Sequence, residues 1–194
     1  MEEKQLSEKE SFELITSMIN KAKGRIGETG TSYLLWGWLI LVCCIVQFVS
    51  LYFFNYANSY YIWYATWIFL IFQFFYFRKQ KKLITVKTYT GEINRFVWLA
   101  FFICTVLVIF ISIYLKYYEI IYPLILVMYG MPTFLSGIIL KFRPLIIGGV
   151  CCWVFSFFSS FVASEYQSLF IAAAVIVAWI IPGYILKQNF KKEN

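Results

Sequence analysis

The stretch Tyr33–Phe54 reads YLLWGWLILVCCIVQFVSLYFF and contains no Lys, Arg, Asp or Glu. Because roughly 20 apolar residues in a helix cross the ~30 Å hydrocarbon core of a bilayer, this stretch predicts a membrane-spanning helix. Five further windows share its apolar character: Tyr60–Phe77, Phe96–Tyr114, Ile120–Leu140, Pro144–Ala163 and Leu169–Leu186. Lipid offers the backbone no hydrogen-bond partners, so helices are the expected form. The sequence therefore predicts an all-α, polytopic bundle of six transmembrane helices.

The composition is typical of a membrane protein. Of the 194 residues, 61% are hydrophobic and 14% are charged, and the mean hydropathy is +0.72. An average soluble domain has about 25% charged residues, and a fold of this size could not bury so much apolar surface in water. This composition excludes a soluble enzyme, a disordered tail and a disulfide-rich secreted scaffold. The 22% aromatic content fits the interfacial enrichment of Trp and Tyr better than a stacking pocket.

The Lys and Arg residues predict the orientation of the chain. One side holds 16 of these 17 residues if it contains the N-terminus, the 78–95 loop, the 141–143 turn and the 187–194 tail. The other side then holds only Lys116. Positively charged loops remain cytoplasmic, so we expect both termini inside, in a bacterial cytoplasmic (inner) membrane. We expect no cleavable signal peptide, since the first apolar run follows a long polar segment and is long enough to span.

Residues 1–31 form the first cytoplasmic segment that could contact another molecule. Ser7 and Glu10 have the spacing of a capping box, which marks a helix start. The apolar residues that follow recur on one helical face, including Phe12, Ile15 and Ile19. Glycines then predict a flexible joint into the first span, at Gly24, Gly27 and Gly30. The amphipathic helix could lie on the membrane surface or dock a cytoplasmic protein partner, and the surface alternative is the simpler one.

The loop 78–95 is the second cytoplasmic segment, with six basic residues and one acidic residue. Basic clusters beside a span attract anionic lipid headgroups by about 1 kcal/mol per residue. The residues nearest the membrane are Arg78, Lys79, Lys81 and Lys82. Topology signalling alone explains this cluster, and no nucleic-acid binding is expected because a short loop is not a folded basic face.

The fourth window contains a proline beside small and hydroxyl-bearing residues: Tyr129, Gly130, Pro132, Thr133 and Ser136. Proline removes a backbone donor and kinks a helix. Broken helices at mid-membrane form substrate sites in many carriers, but kinks also occur in bundles that bind nothing. Pro182-Gly183 predicts a second, shallower break near the cytoplasm.

The fifth window carries small residues at a spacing of four: Gly148, Cys152, Ser156 and Ser160. Such a row is typical of a close helix crossing. Ala174 and Ala178 of the sixth window offer a partner surface. We interpret these six positions as helix packing.

The chain lacks the residue types on which most catalytic and metal sites depend. It has no His and no Asp, and no ionisable acid or base lies deep within a window. We therefore expect that the protein is not an enzyme. If it were one, the few candidate catalytic residues would be Glu119 and Glu165, at the outer ends of predicted spans. Thiols at one depth could bind a soft ion such as Cu(I), but the five cysteines include no C-x-x-C and pack well as small apolar side chains. We expect no metal, no cofactor and no disulfide.

Three segments carry a resemblance: SFELITSMINKAKGRI from Ser11, Leu35-Trp36-Gly37, and GIILKFRPLIIGG over Gly137–Gly149. In these the chain resembles an uncharacterised family of small six-span bacterial inner-membrane proteins with a charged amphipathic N-terminal helix. The resemblance covers most of the chain and implies no catalytic or binding residues.

These observations favour a non-enzymatic regulatory, assembly or sensor module that acts through its cytoplasmic face. The lack of catalytic groups beside a sizeable cytoplasmic face is the reason. The alternative is a small-solute permease or channel with its site at the kinked fourth span, of which soft-metal transport is a remote variant. The sequence does not specify an oligomeric state.

Overall fold

The computed structural model describes residues 8–54, 56, 58–80 and 89–192. Within these ranges all regular structure is helical. The seven α-helices are α1 (Glu8–Phe54), α2 (Tyr64–Gln80), α3 (Tyr89–Tyr114), α4 (Ile121–Ile139), α5 (Arg143–Ser159), α6 (Ser164–Val175) and α7 (Ile181–Lys192). Short 3-10 helices, Ser59–Trp63 and Tyr118–Ile120, precede α2 and α4, and a π-helical segment, Ile176–Ile180, joins α6 to α7.

Four helical segments of the described chain are long and apolar enough to cross a membrane: Gly30–Phe54, Gly91–Tyr114, Tyr118–Ile139 and Ser164–Asn189. They correspond to the first, third, fourth and sixth predicted spans. The helices at the second and fifth predicted spans, α2 and α5, have 17 residues each. At about 1.5 Å per residue they are at the short end of the spanning range. The protein is thus an all-helical bundle with four candidate membrane spans.

The first helix is one continuous element where the sequence predicts a helix, a joint and a span. α1 runs for 47 residues, with helical backbone through Gly24, Gly27 and Gly30. Each glycine lowers helix stability by about 1 kcal/mol relative to alanine, but an isolated glycine is tolerated inside a helix. The backbone is therefore helical where the sequence predicts a flexible joint. At about 1.5 Å per residue, α1 is roughly 70 Å long and exceeds a membrane core more than twofold.

Other helices also extend beyond their apolar windows. α2 continues to Gln80 and α3 begins at Tyr89, so helix takes up both ends of the predicted 78–95 loop. α6 begins at Ser164, with Glu165 in its first turn where the helix dipole favours an acid. α7 continues to Lys192, so residues 187–192 of the predicted tail are helical. The predicted windows omit these polar helix ends because hydropathy identifies only the apolar part of a helix.

The core lies between α1, α4, α5 and the α6–α7 pair. α4 packs along α5, and α1 packs along α6 and α7. α3 covers α4, while α2 lies at the edge of the bundle against α1. The largest side chains with almost no exposed surface are aliphatic residues of this core: Leu126, Leu145, Ile171 and Val175. Their burial provides the packing contacts that hold helices together inside lipid.

Glycines set the distance between the closely packed helices. A Cβ at Gly149 would lie 2.8 Å from the Phe134 backbone nitrogen and 2.9 Å from the Gly130 oxygen. A Cβ at Gly183 would lie 2.9 Å from Leu34 Cγ. The α4–α5 and α1–α7 crossings therefore depend on residues without side chains, as in other membrane bundles.

Helix directions place the described basic residues together. Contacts of Asn94 with Ser136 and of Gly137 with Ile146 show that α3 begins where α4 ends and α5 begins. We call this the basic end; its described charged side chains are four basic residues, Arg95, Lys141, Arg143 and Lys187, and one acid, Glu92. The opposite end contains Lys116, Glu119 and Glu165.

Candidate functional site

The kink residues of α4 lie inside the bundle. Tyr129, Gly130 and Pro132 are buried, and Thr133 and Ser136 have no exposed surface. α4 stays helical through Pro132. The Thr133 hydroxyl donates to the Tyr129 carbonyl oxygen at 2.7 Å, one turn earlier. Such bonds from neighbouring hydroxyls help a membrane helix to tolerate a proline.

The π-helical segment between α6 and α7 covers this part of α4. Trp179, in the π-helical segment, donates from its indole Nε1 to Thr133 Oγ1 at 2.9 Å. Its ring lies 4.7 Å from the ring of Tyr129, centroid to centroid. The single hydroxyl of Thr133 therefore serves as a donor to its own helix and as an acceptor for a neighbouring one.

Two residues of α3 form hydrogen bonds with Ser136. The Ser136 hydroxyl donates to Asn94 Oδ1 at 2.6 Å and accepts from Trp98 Nε1 at 3.2 Å. The Trp98 ring also meets the Trp179 ring at 5.9 Å. We call these five residues the indole–hydroxyl network: Asn94, Trp98, Thr133, Ser136 and Trp179.

The indole–hydroxyl network occupies the place where a substrate would meet the kink. Both hydroxyls already hold hydrogen bonds to protein groups, and each accepts one from an indole. Sequence reasoning found the hydroxyls but missed their partners. Asn94 was predicted to lie in a loop. A tryptophan inside an apolar window does not indicate which residue will accept the hydrogen bond from its indole N–H.

A second polar cluster connects α1 to the 3-10 helix Ser59–Trp63 and to α4. Trp63 donates from Nε1 to Gln47 Oε1 at 2.8 Å, and the Gln47 amide nitrogen donates to the Tyr122 hydroxyl. Gln47 is buried. Its amide group joins α1, the 3-10 helix Ser59–Trp63 and α4. The sequence could have indicated this contact, because Gln47 is a single polar residue within an otherwise apolar window.

The predicted packing row contacts two different neighbours. A Cβ at Gly148 would lie 2.6 Å from the Ala178 Cα, so these two residues meet directly. Cys152 is fully buried, whereas Ser156 donates to the Pro123 oxygen of α4 at 2.8 Å. Four-residue steps drift around a helix by roughly 40°, which explains why the row turns from the sixth span towards α4. Ala174 is buried, and Ser160 is exposed near the end of α5.

The predicted lipid or partner contacts lie outside the described side chains. Phe12, Ile15 and Ile19 belong to the helical backbone of α1, and Arg78 and Lys79 to that of α2. Lys81 and Lys82 fall outside the described residues.

The cysteines and acids do not assemble into a metal-binding group in the described part of the chain. Cys43, Cys44, Cys104, Cys151 and Cys152 are all free thiols. Three or more His, Cys, Asp or Glu side chains are nowhere gathered among the described residues.

A cleft of about 470 Å³ lies at the opposite end, between the start of α4 and the α5–α6 connection. Its polar lining comes from Glu119, Ser160, Ser164 and Gln167. Gln167 is 3% exposed and donates from Nε2 to the Val162 oxygen at 3.3 Å. Its Oε1 is buried and has no hydrogen-bond partner among the described groups.

Comparison with models of protein families, with curated proteins and with solved structures finds no match to this chain. The functional argument therefore depends on the geometry described above.

Proposed function

We propose that this protein is a six-span bacterial inner-membrane protein with both termini in the cytoplasm, acting without catalysis as a regulatory, assembly or sensor component. Its working surface is the cytoplasmic face formed by the N-terminal part of α1 and the basic end. The sequence also resembles small membrane proteins with six predicted spans and a charged N-terminal helix, which is the arrangement proposed here.

The continuity of α1 carries this proposal. A helix of 47 residues passes from residue 8 to the far end of the first span without a break. The same helix is held in the core, since Gly30 and Gly37 pack against Leu186 and Ile180. A partner that moves the N-terminal part would therefore act on the α1–α7 crossing, because a rigid helix transmits displacement along its length.

The basic end supports a lipid-facing cytoplasmic surface. Arg95 is exposed in the early part of α3, and Lys141 and Arg143 are exposed where α4 ends and α5 begins. Cations at this position are attracted to anionic headgroups. We expect anionic lipids to surround this end, while a cytoplasmic protein contacts α1 through the face that includes Phe12, Ile15 and Ile19.

The permease alternative receives less support. A solute path beside the kink requires Trp179 to leave Thr133 and Trp98 to leave Ser136, which exposes buried indole and hydroxyl groups. Unpaired polar groups are costly in a region without water. The closed indole–hydroxyl network therefore favours the module over the permease.

Site-specific photo-crosslinking in living cells tests the proposal. A photoreactive residue at Phe12, Ile15 or Ile19 is expected to yield a discrete protein adduct. The matched control is Phe110, which is 66% exposed on α3 and should crosslink to lipid alone. Lipid adducts alone at all three α1 positions would reject the docking role, as would identical protein bands from Phe110.

A further inference from the structure

We propose that the π-helical turn Ile176–Ile180 is a conformational switch through which α1 controls the hydrogen bond between Trp179 and Thr133. In the closed arrangement the Trp179 indole donates to Thr133. In the open arrangement α1 has pressed on the turn, and the indole has left Thr133. This inference deepens the proposed function and rests on it, because the cytoplasmic partner of α1 supplies the displacement.

The π-helical turn contacts helices on both of its sides. It packs against α1 on one side and against α4 and α5 on the other. α1 itself packs along α6 and α7, whereas α4 packs along α5 and is covered by α3. The turn is therefore placed to pass a movement of α1 on to the helices α3, α4 and α5.

Gly37 is a point of close contact between α1 and the turn. A Cβ added to Gly37 would lie 2.7 Å from Ile180 Cγ1 and 3.5 Å from Trp179 Cβ. No side chain separates α1 from the turn at this position, and close-packed interiors transmit strain. A displacement of α1 towards the turn at Gly37 therefore has to move Ile180 and Trp179.

The backbone of the turn departs from the α-helical hydrogen-bond pattern. The Ile181 N–H bonds to the Ile176 oxygen, five residues back. Pro182 follows and has no N–H, so the Ala178 oxygen lacks its α-helical donor. Prolines and π-helical turns are the usual positions at which a helix bends, and such turns are frequent at functional sites. The α6–α7 helix is therefore most easily rearranged here.

Trp179 connects the turn to the proline of α4. Its indole donates to Thr133 at 2.9 Å, and Thr133 directly follows Pro132. The Trp179 ring also lies 5.9 Å from the Trp98 ring, and Trp98 donates to Ser136. Loss of the Trp179 bond would free α4 at the residue where a proline permits it to bend.

The turn also has a purely structural explanation. In an α-helix the ring of Pro182 would clash with the carbonyl group of Ala178, and a π-helical turn avoids the clash. The two explanations predict different behaviour of the Trp179 indole. A purely structural turn keeps the bond to Thr133 when α1 presses on it, whereas a switch releases the bond.

The test uses the purified full-length protein in detergent, with isotope-labelled tryptophan and the NMR signals of the indole N–H groups. Trp179→Phe identifies the Trp179 signal. Thr133→Val removes the acceptor and gives the position of this signal when the bond is lost. Gly37→Ala presses on the turn, and we expect it to move the Trp179 signal to that position or to divide it between the two positions.

Gly30→Ala is the matched control, because it makes the same change seven residues earlier on the same side of α1. Its Cβ would meet α7 beyond the turn, at 3.3 Å from both the Gly183 oxygen and Leu186 Cβ, so the Trp179 signal should not move. The Trp153 indole donates to the Val127 oxygen and provides an internal reference.

Free energies of unfolding provide a second measurement. In the Gly37→Ala background, Thr133→Val should cost less than about half of what it costs in the wild type, because the bond that it removes is already lost. In the Gly30→Ala background, Thr133→Val should cost as much as it does in the wild type.

Two results would overturn the switch: a Trp179 signal that stays at the bonded position in folded Gly37→Ala protein, and additive effects of Gly37→Ala and Thr133→Val. If Gly37→Ala does not fold, Ile180→Ala replaces it, since loss of the side chain against Gly37 lets the turn settle towards α1 and away from Thr133. An unmoved Trp179 signal in Ile180→Ala would then reject the switch.

The substitutions themselves displace the turn, so the outcome does not require a cytoplasmic partner. A shifted Trp179 signal with lipid adducts alone at Phe12, Ile15 and Ile19 would retain the switch and reject the docking role. Protein adducts at those positions with an unmoved signal would retain the docking role and reject the switch.

Discussion

Thr133 shows how one side chain can connect two spans. Its hydroxyl donates to the Tyr129 oxygen of its own helix and accepts from the Trp179 indole of the sixth span. No water competes for these bonds at a fully buried position, so the indole has no alternative partner. The hydroxyls of the kink therefore organise the bundle, although their residue types equally suit a substrate site.

Thr133→Val should lower the stability of the bundle by about 1–2 kcal/mol, because the isosteric side chain leaves the Trp179 N–H buried and unpaired. The unfolding temperature in detergent, followed by tryptophan fluorescence, measures the effect. Thr66→Val is the matched control: the Thr66 hydroxyl donates to the Trp63 oxygen of the preceding turn, at 2.6 Å, and holds no indole. Equal unfolding temperatures for the two variants would show that the Trp179 bond contributes nothing.

Among the helices, α1 and the α6–α7 helix contain residues that usually interrupt an α-helix. α1 stays helical through four glycines, and the helix formed by α6 and α7 passes Pro182 with a π-helical turn at Ile176–Ile180. In that turn the Ile181 N–H reaches back five residues to the Ile176 oxygen. The helix therefore remains continuous where the sequence predicts a break, and that prediction was wrong. The adjoining Gly183 lies against Leu34 of α1.

Gly27→Pro should separate the N-terminal part of α1 from the first span, because proline removes a helical hydrogen bond and costs about 3 kcal/mol inside a helix. Amide hydrogen exchange over residues 8–26 should become faster in this variant. Gly27→Ala is the control and should slow exchange slightly, since alanine is the better helix former. If Pro and Ala variants gave the same protection, α1 could not be a continuous helix in the membrane.

For the whole molecule, burial separates a packed core from a lipid-facing periphery. In the spanning part of α3 only 6% of the residues are buried, against 56% in the sixth span. The exposed side chains of α3 are large and apolar, including Ile103, Leu107 and Phe110. Such a surface is stable in hydrocarbon and not in water, which agrees with a membrane environment.

Cysteine accessibility in intact cells should reveal the orientation of the bundle. Lys116→Cys is expected to react with a membrane-impermeant maleimide from outside, whereas Arg143→Cys should react only after the membrane is permeabilised. The native thiols set the background in the wild-type chain, where Cys43, Cys44 and Cys152 are buried. Labelling of Arg143→Cys from outside would contradict the topology with both termini in the cytoplasm.

Hydropathy alone placed the four longest spans, because a long apolar run is a local property that lipid solvates directly. It underestimated helix lengths at Tyr89 and Ser164, where polar turns continue the helix into the interface. It also gave no reason to connect Gln47 with Trp63 and Tyr122, or to expect an unpaired Gln167 beside a cleft. These features depend on which faces of separate helices meet.

The order of amino acids was enough to predict the helical class, the apolar helices that are long enough to cross a membrane and the clustering of basic charge, since each follows from the chemistry of consecutive residues. Packing decided that Trp179 contacts α4 beside Pro132, through its bond to Thr133, 46 positions earlier in the chain. Packing also formed the cleft beside Glu119 and Gln167. The rotation of each helix about its axis determines such contacts, and hydropathy and charge do not record it.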